Sequence, residues 1–169
     1  MDITLYTTYR VTNREFKFFS IGNEGTFEMR IRITLMDQAT RLYNIAFGVW
    51  NLSQNDIDDK MIIRNGDTDR ILATVGQKAL DFLIENPNAN IAATGSILPG
   101  ELALRTRKYQ MGIHAHYDYL STFCNIYGFK AEKINGEVNG DWPDWDGKWV
   151  RFEKGTNYDA FLLNLKNDL

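Results

Sequence analysis

The residues best suited to chemistry in this sequence gather between positions 90 and 113. Thr94, Gly95 and Ser96 make a small polar break; Arg105, Arg107 and Lys108 follow it, and then Gln110. Glycine lets a backbone approach a ligand closely, and a hydroxyl both donates and accepts. Arginine offers a planar fork that grips a phosphate or carboxylate through two bonds. The chemistry these types suggest is anion or nucleotide binding. No G-x-G-x-x-G or P-loop pattern accompanies them. The competing reading makes them fasteners, with the arginines paired to Asp56, Asp58, Asp59 or Asp67 of the acidic stretch upstream.

The other reactive side chains form no recognisable constellation. His114 and His116 are two apart, whereas a two-histidine metal site on a helix wants a spacing of four. Asp56, Asp58 and Asp59 lack the glycine and distal glutamate of a calcium loop. No metal or cofactor is expected. Ser96 lacks the strained G-x-S-x-G turn. Cys124 lies in an apolar run with no cationic neighbour, which reads as a buried structural thiol. Trp142, Trp145 and Trp149, with Tyr127, suit stacking on a ligand, covering a core, or an interface. No residue is nominated as catalytic.

A chain of 169 residues, 44% hydrophobic and 24% charged, suits a single domain spanning 1–169. The net charge of −3 disfavours nucleic acid, which needs a basic surface to displace counterions. One cysteine allows no internal disulfide and fits a reducing compartment. The N-terminal stretch has no basic segment followed by an apolar one, and no apolar run approaches the roughly 20 residues that span a bilayer. A cytoplasmic protein without a membrane partner is expected.

Several elements must position the central stretch. Residues 26–35 alternate strictly, with Phe27, Met29, Ile31, Ile33 and Leu35 on one face and Glu28, Arg30, Arg32 and Thr34 on the other. Weaker strands are expected over 5–11, 15–21 and 41–50, making a meander of about four. The small Asn44, Ala46 and Gly48 imply close packing on the second face of the last of these. Residues 51–59 read as a loop and 60–64 as a short strand. A helix over 69–86, capped by Asp67 or Thr68, ends before Pro87. A short strand over 90–94 leads to one long helix from Pro99, with Gly112 in its middle. Strands over 122–129 and 149–153 flank a turn-rich excursion. A final helix is expected from Gly155-Thr156-Asn157, with Tyr158, Phe161, Leu162 and Leu165 on one face. The fold class is α+β: a mainly antiparallel sheet with about three helices packed on it.

The sequence resembles a family of small bacterial proteins known only as a domain of unknown function. The segments that carry the resemblance start with Leu42-Tyr43-Asn44-Ile45-Ala46-Phe47-Gly48, Ile57-Asp58-Asp59 and Asn65-Gly66-Asp67. They continue through Leu72-Ala73-Thr74-Val75, Thr94-Gly95-Ser96 and Arg105-Thr106-Arg107-Lys108-Tyr109-Gln110-Met111-Gly112-Ile113, and end with Gly155-Thr156-Asn157-Tyr158-Asp159-Ala160-Phe161-Leu162. Arg-Thr-Arg-x-Tyr-Gln-Met-Gly is the most specific of these. The resemblance implies one compact unit in a bacterial cytoplasm and brings no activity. Two stretches depart from the family pattern: residues 97–104 and the Trp-rich 141–146 are longer than it leads one to expect.

Taken together, these observations point to a non-enzymatic binding or protein-interaction module that self-associates. The alternative is an anion- or nucleotide-binding protein, or an enzyme, using Arg105 and Arg107 beside Thr94-Gly95-Ser96, with Gln110 nearby. A weaker alternative is nucleic-acid binding by the helix from Pro99.

Overall fold

Strict alternation gives the sheet its anchor, β3 (Gly25–Asp37), which buries Met29, Ile31 and Ile33 and turns Arg30 and Arg32 the other way. β1 (Tyr9–Thr12), β2 (Glu15–Gly22) and β4 (Leu42–Asn51) join it in an antiparallel meander, β1-β2-β3-β4. Residues 4–58, 61, 63–94 and 104–167 are described in this computed structural model, with the side chains of Leu104 and Arg105 outside that set. At the β2–β3 turn a Cβ on Gly22 would meet the Asn65 carbonyl oxygen at 2.1 Å, so only glycine fits there.

After β5 (Asp56–Asp58), which pairs with β4, helix α1 (Thr68–Glu85) crosses the sheet. It delivers β6 (Asn90–Ala93) alongside β4, in the only parallel pairing among the described residues. A crossover helix is what a parallel neighbour requires. Next come α2 (Leu104–Ala115), α3 (Tyr117–Phe123) and β7 (Cys124–Ala131). The small β8 (Lys133–Ile134) and β9 (Glu137–Val138) form a separate hairpin, and β10 (Gly147–Arg151) and β11 (Ala160–Leu165) complete the chain. The sheet runs β1-β2-β3-β4-β6-β11-β7-β10, with β5 beside β4 as a ninth strand.

Register sorts the side chains onto two faces. Ile31, Ile45, Ile91, Phe161 and Ile126 lie in one core with Leu72, Val75 and Leu83 of α1, Tyr109 of α2 and Leu120 of α3. The reverse face carries Arg30, Arg32, Asn44, Ala92, Leu162, Tyr127 and Trp149. The excursion before β10 folds back over this face, where Trp142 Nε1 donates to Asn44 Oδ1 at 3.0 Å.

The α+β class holds, and several elements differ from expectation. The expected final helix is the strand β11, paired on one side with β6 and on the other with β7. Its sequence, Ala-Phe-Leu-Leu-Asn-Leu, is a short apolar run that fits either period, and its central place in the sheet decides for strand. The helix expected to run from Pro99 is two helices, α2 and α3, parted at His116; residues 95–103 lie outside the described set. β7 therefore begins at Cys124 rather than at position 122. The expected loop 51–59 contains β5, and of the expected strand 60–64, Ile63 and Arg64 are in no strand while 60 and 62 lie outside the described residues. Asp67 holds the N-cap position of α1 without a side-chain capping bond, because its carboxylate is engaged elsewhere.

Candidate functional site

The structure ties Thr94 and Gln110 to one segment, residues 156–159. Thr94 Oγ1, just past β6, donates to the Asp159 carbonyl at 2.8 Å. Gln110, half-buried on α2, donates through Nε2 to the Thr156 carbonyl and to Asn157 Oδ1, both at 3.0 Å. Its Oε1 accepts from the Tyr158 backbone N–H at 3.2 Å. The amide is thereby committed to holding α2 against the approach to β11. Asp159 also receives the Ala131 N–H at 2.9 Å and pairs with Lys133 Nζ at 2.7 Å. The ring of Tyr158 lies across Gly128, where a Cβ would meet it at 2.2 Å. Thr94 and Gln110 thus serve as fasteners, and they bring the Arg-Thr-Arg-x-Tyr-Gln and Gly-Thr-Asn-Tyr-Asp segments together in space.

Arg107 is exposed on α2 and makes no ion pair among the described residues. Gly95, Ser96 and the Arg105 side chain lie outside the described residues. Thr106 and Tyr109 are buried, and Tyr109 meets Phe47 edge-on at 5.4 Å. Of the acidic partners considered for the arginines, Asp59 lies outside the described residues, and Asp56 and Asp67 have other occupations. Asp56 pairs with Arg32 at 2.9 Å. A bond from the Ile57 N–H, and then Arg32, holds its carboxyl below the usual range. Asp67 Oδ2 accepts from the Tyr6 hydroxyl at 2.5 Å and from the Ser20 hydroxyl at 2.6 Å. No group of three or more His, Cys, Asp or Glu suited to a metal ion occurs among the described residues. Cys124 is buried, and burial pushes its thiol from 9.0 up to about 11. Such a thiol is a poor nucleophile.

Trp142, Trp145 and Trp149 form a continuous aromatic group with Phe129, their neighbouring ring centroids 4.8 to 6.3 Å apart. They are half-buried against the reverse face of the sheet. Below them runs an amide ladder that crosses four strands. Asn125 donates to Asn164 at 2.9 Å, Asn164 to Asn90 at 3.0 Å, and Arg151 to Asn125 at 3.3 Å. Sequence reasoning missed this ladder, since the three asparagines are scattered and meet only through the order of β6, β11 and β7.

It also missed a buried hub at the other end of the molecule. Besides holding the Tyr6 and Ser20 hydroxyls through Asp67, the hub includes Asn65, which donates to Ser20 Oγ and to the Gly25 carbonyl, both at 3.0 Å. Burial, and then the bond to Asp67, raises the Tyr6 phenol above its ordinary 10.0. This is the structural task of the Asn65-Gly66-Asp67 segment: it ties the N-terminal stretch and the β2–β3 turn to the start of α1.

An exposed apolar group lies beside that hub, on the reverse face of the β1–β2 edge. Tyr9, Phe19 and Ile21 on that face are 51%, 37% and 63% exposed, Val11 at the irregularity between Arg10 and Thr12 is 42% exposed, and the Tyr9 and Phe19 rings meet edge-to-face with centroids 6.4 Å apart. Among the described residues, β1 is the end strand of the sheet and pairs with β2 alone. Charges wall off the next strands: Arg30 bridges Glu15 at 2.6 Å and Glu28 at 2.8 Å, and its guanidinium sits 3.9 Å over the Trp50 ring.

This fold, a helix-backed antiparallel sheet with one parallel crossover, belongs to a class that serves many unrelated functions. The chain belongs to a family of unknown function, DUF6934, whose pattern it matches over residues 3–166. No curated protein and no solved structure matches it. No helix among the described residues is long and apolar enough to cross a membrane.

Proposed function

We propose that this protein is a non-enzymatic interaction module that self-associates through the reverse face of its β1–β2 edge. The observation that carries this reading is the cluster of exposed Tyr9, Val11, Phe19 and Ile21 at an open sheet edge. An end strand presents unpaired backbone donors and acceptors, and a contiguous exposed apolar group marks an association surface. A two-fold contact would set the same four side chains against their copies. Burying one such side chain fully is worth roughly 1.5–3 kcal/mol, so a half-exposed one contributes roughly 1 kcal/mol. Eight of them give roughly 8 kcal/mol, against an association cost of about 4–15 kcal/mol. At the low end of that cost about 4 kcal/mol remains, so the dimer is weak and forms at about millimolar concentration. Ile21→Asp removes one contact from each copy, about 2 kcal/mol in all, and weakens association about thirtyfold. Sedimentation of both forms over a wide concentration range tests the reading. The buried free thiol of Cys124 suits a reducing, cytoplasmic setting.

A second reading, a small anionic ligand held at α2, draws on the exposed Arg107, which makes no ion pair among the described residues. Its test is a thermal-shift screen of phosphate and nucleotides on wild type and Arg107→Ala. A shift that the substitution abolishes supports it, and an absence of any shift removes it.

A further inference from the structure

We propose that the space between α1, α2 and the middle of the sheet is a binding site for a small uncharged molecule. The ligand is a short alkyl chain whose single polar group lies at His116. The cavity measures about 70 Å³ and is walled by apolar side chains, with Ile91 and Phe161 below, Leu72 on α1 and Ile113 on α2. A water needs roughly 10–15 Å³ and several polar partners, and apolar cavities that lack such partners stay dry. Lining atoms around such a void forgo dispersion contacts that a ligand would restore.

The two helical glycines on the cavity wall give the second, independent observation. Glycine is among the poorest helix formers, so each calls for a reason. Gly112 has one: a Cβ there would stand 3.4 Å from the Leu72 Cβ, so its absence lets α2 approach α1. Gly76 has no such reason. It lies in the interior of α1, away from any turn, and a Cβ there would meet nothing within 4 Å. A side chain longer than a methyl at this position would project into the open space. Beside it, Gln77 is held by Asp81 at 2.9 Å. The imidazole of His116, at the break between α2 and α3, also lines the cavity and makes no hydrogen bond among the described residues.

These features select the ligand class. A charged group would lose its hydration against walls that are mostly apolar, where His116 offers too little to replace it. The volume is about half that of the engineered cavity of roughly 150 Å³ that takes up benzene, so a slim chain fits better than a ring. His116 supplies one hydrogen-bonding partner for a hydroxyl or similar neutral head. The site is separate from the β1–β2 edge, so its occupation leaves self-association unchanged.

The probe is a series of straight-chain alcohols from propanol to hexanol, titrated into ¹⁵N-labelled protein. Wild type, Gly76→Ala and Gly76→Leu are compared. The expected result is saturable binding with an optimum chain length and shifts centred on the Gly76 and Gly112 amides. Gly76→Ala retains binding, and Gly76→Leu, which places a branched chain in the opening, weakens it at least tenfold. Failure of every alcohol to saturate overturns the proposal, as does equal affinity in Gly76→Leu. If Gly76→Leu does not fold, the wild-type titration decides alone, because shifts confined to residues away from Gly76, Gly112 and His116 overturn it equally.

Discussion

Replacing Gln110 by glutamate tests whether this side chain is a fastener or a free ligand-binding group. The substitution keeps the shape and retains the acceptor that receives the Tyr158 N–H at 3.2 Å. It turns the donor that faces the Thr156 carbonyl and Asn157 Oδ1, both 3.0 Å away, into a second acceptor. Two hydrogen bonds vanish at about 1 kcal/mol each, and a half-buried carboxylate then faces two oxygen dipoles. The loss at pH 7 is roughly 2–4 kcal/mol, which for a chain of this size lowers Tm by about 4–16 °C. The pH dependence has a definite sign. Only the protonated acid can donate to those oxygens, so folding raises its pKa above the roughly 4.3 of the unfolded chain. That contribution is present below the unfolded value and is lost as pH climbs through the folded one. The gap between wild type and Gln110→Glu therefore narrows between pH 7 and pH 4. Urea unfolding followed by circular dichroism at the two pH values measures it. A variant as stable as wild type at pH 7, or a gap that widens at pH 4, would refute the fastener role.

Gly128→Ala would push a Cβ to 2.2 Å from the Tyr158 ring, and overpacking of this kind costs about 1–3 kcal/mol, readable as a lower urea midpoint. Asp67→Asn removes the charge from the acceptor shared by Tyr6 and Ser20, which lowers stability by roughly 1–3 kcal/mol in the same assay. The raised Tyr6 phenol contributes stability below pH 10.0 that is lost as pH climbs through its folded value; a tyrosinate absorbance titration should show one group ionising late. Cys124, with a thiol near 11, should stay unreactive toward a disulfide reagent at pH 8 until urea unfolds the chain, and rapid reaction of the native protein would contradict its burial.

The parts of the fold legible in the sequence were those with strong local periodicity. β3 alternates over its length, and α1 carries an apolar stripe ended by Pro87, so both stood near their predicted bounds. β11 was misread because Tyr158, Phe161, Leu162 and Leu165 match a helical stripe, while what fixes them is a neighbour strand on each side. The break at His116 left no proline or strong cap to announce it. Of the six candidate site residues, Thr94 and Gln110 both hydrogen-bond to the 156–159 segment. That outcome was illegible because their partners, mostly backbone groups, lie 46 to 65 residues away. The buried hub of Tyr6, Ser20, Asn65 and Asp67 was hidden for the same reason, each member looking like an ordinary turn or strand residue on its own. The exposed β1–β2 edge came from weak alternation, in which the sequence alone could not say which face stays open.

Sedimentation equilibrium of wild type and Ile21→Asp, from low micromolar to millimolar concentration, tests the central claim most directly. Wild type should show substantial dimer near 1 mM, and Ile21→Asp, folded by circular dichroism and weakened about thirtyfold, should stay monomeric across that range. A wild type that stays monomeric at the highest concentration, or a variant that dimerises equally well, would contradict self-association through this edge.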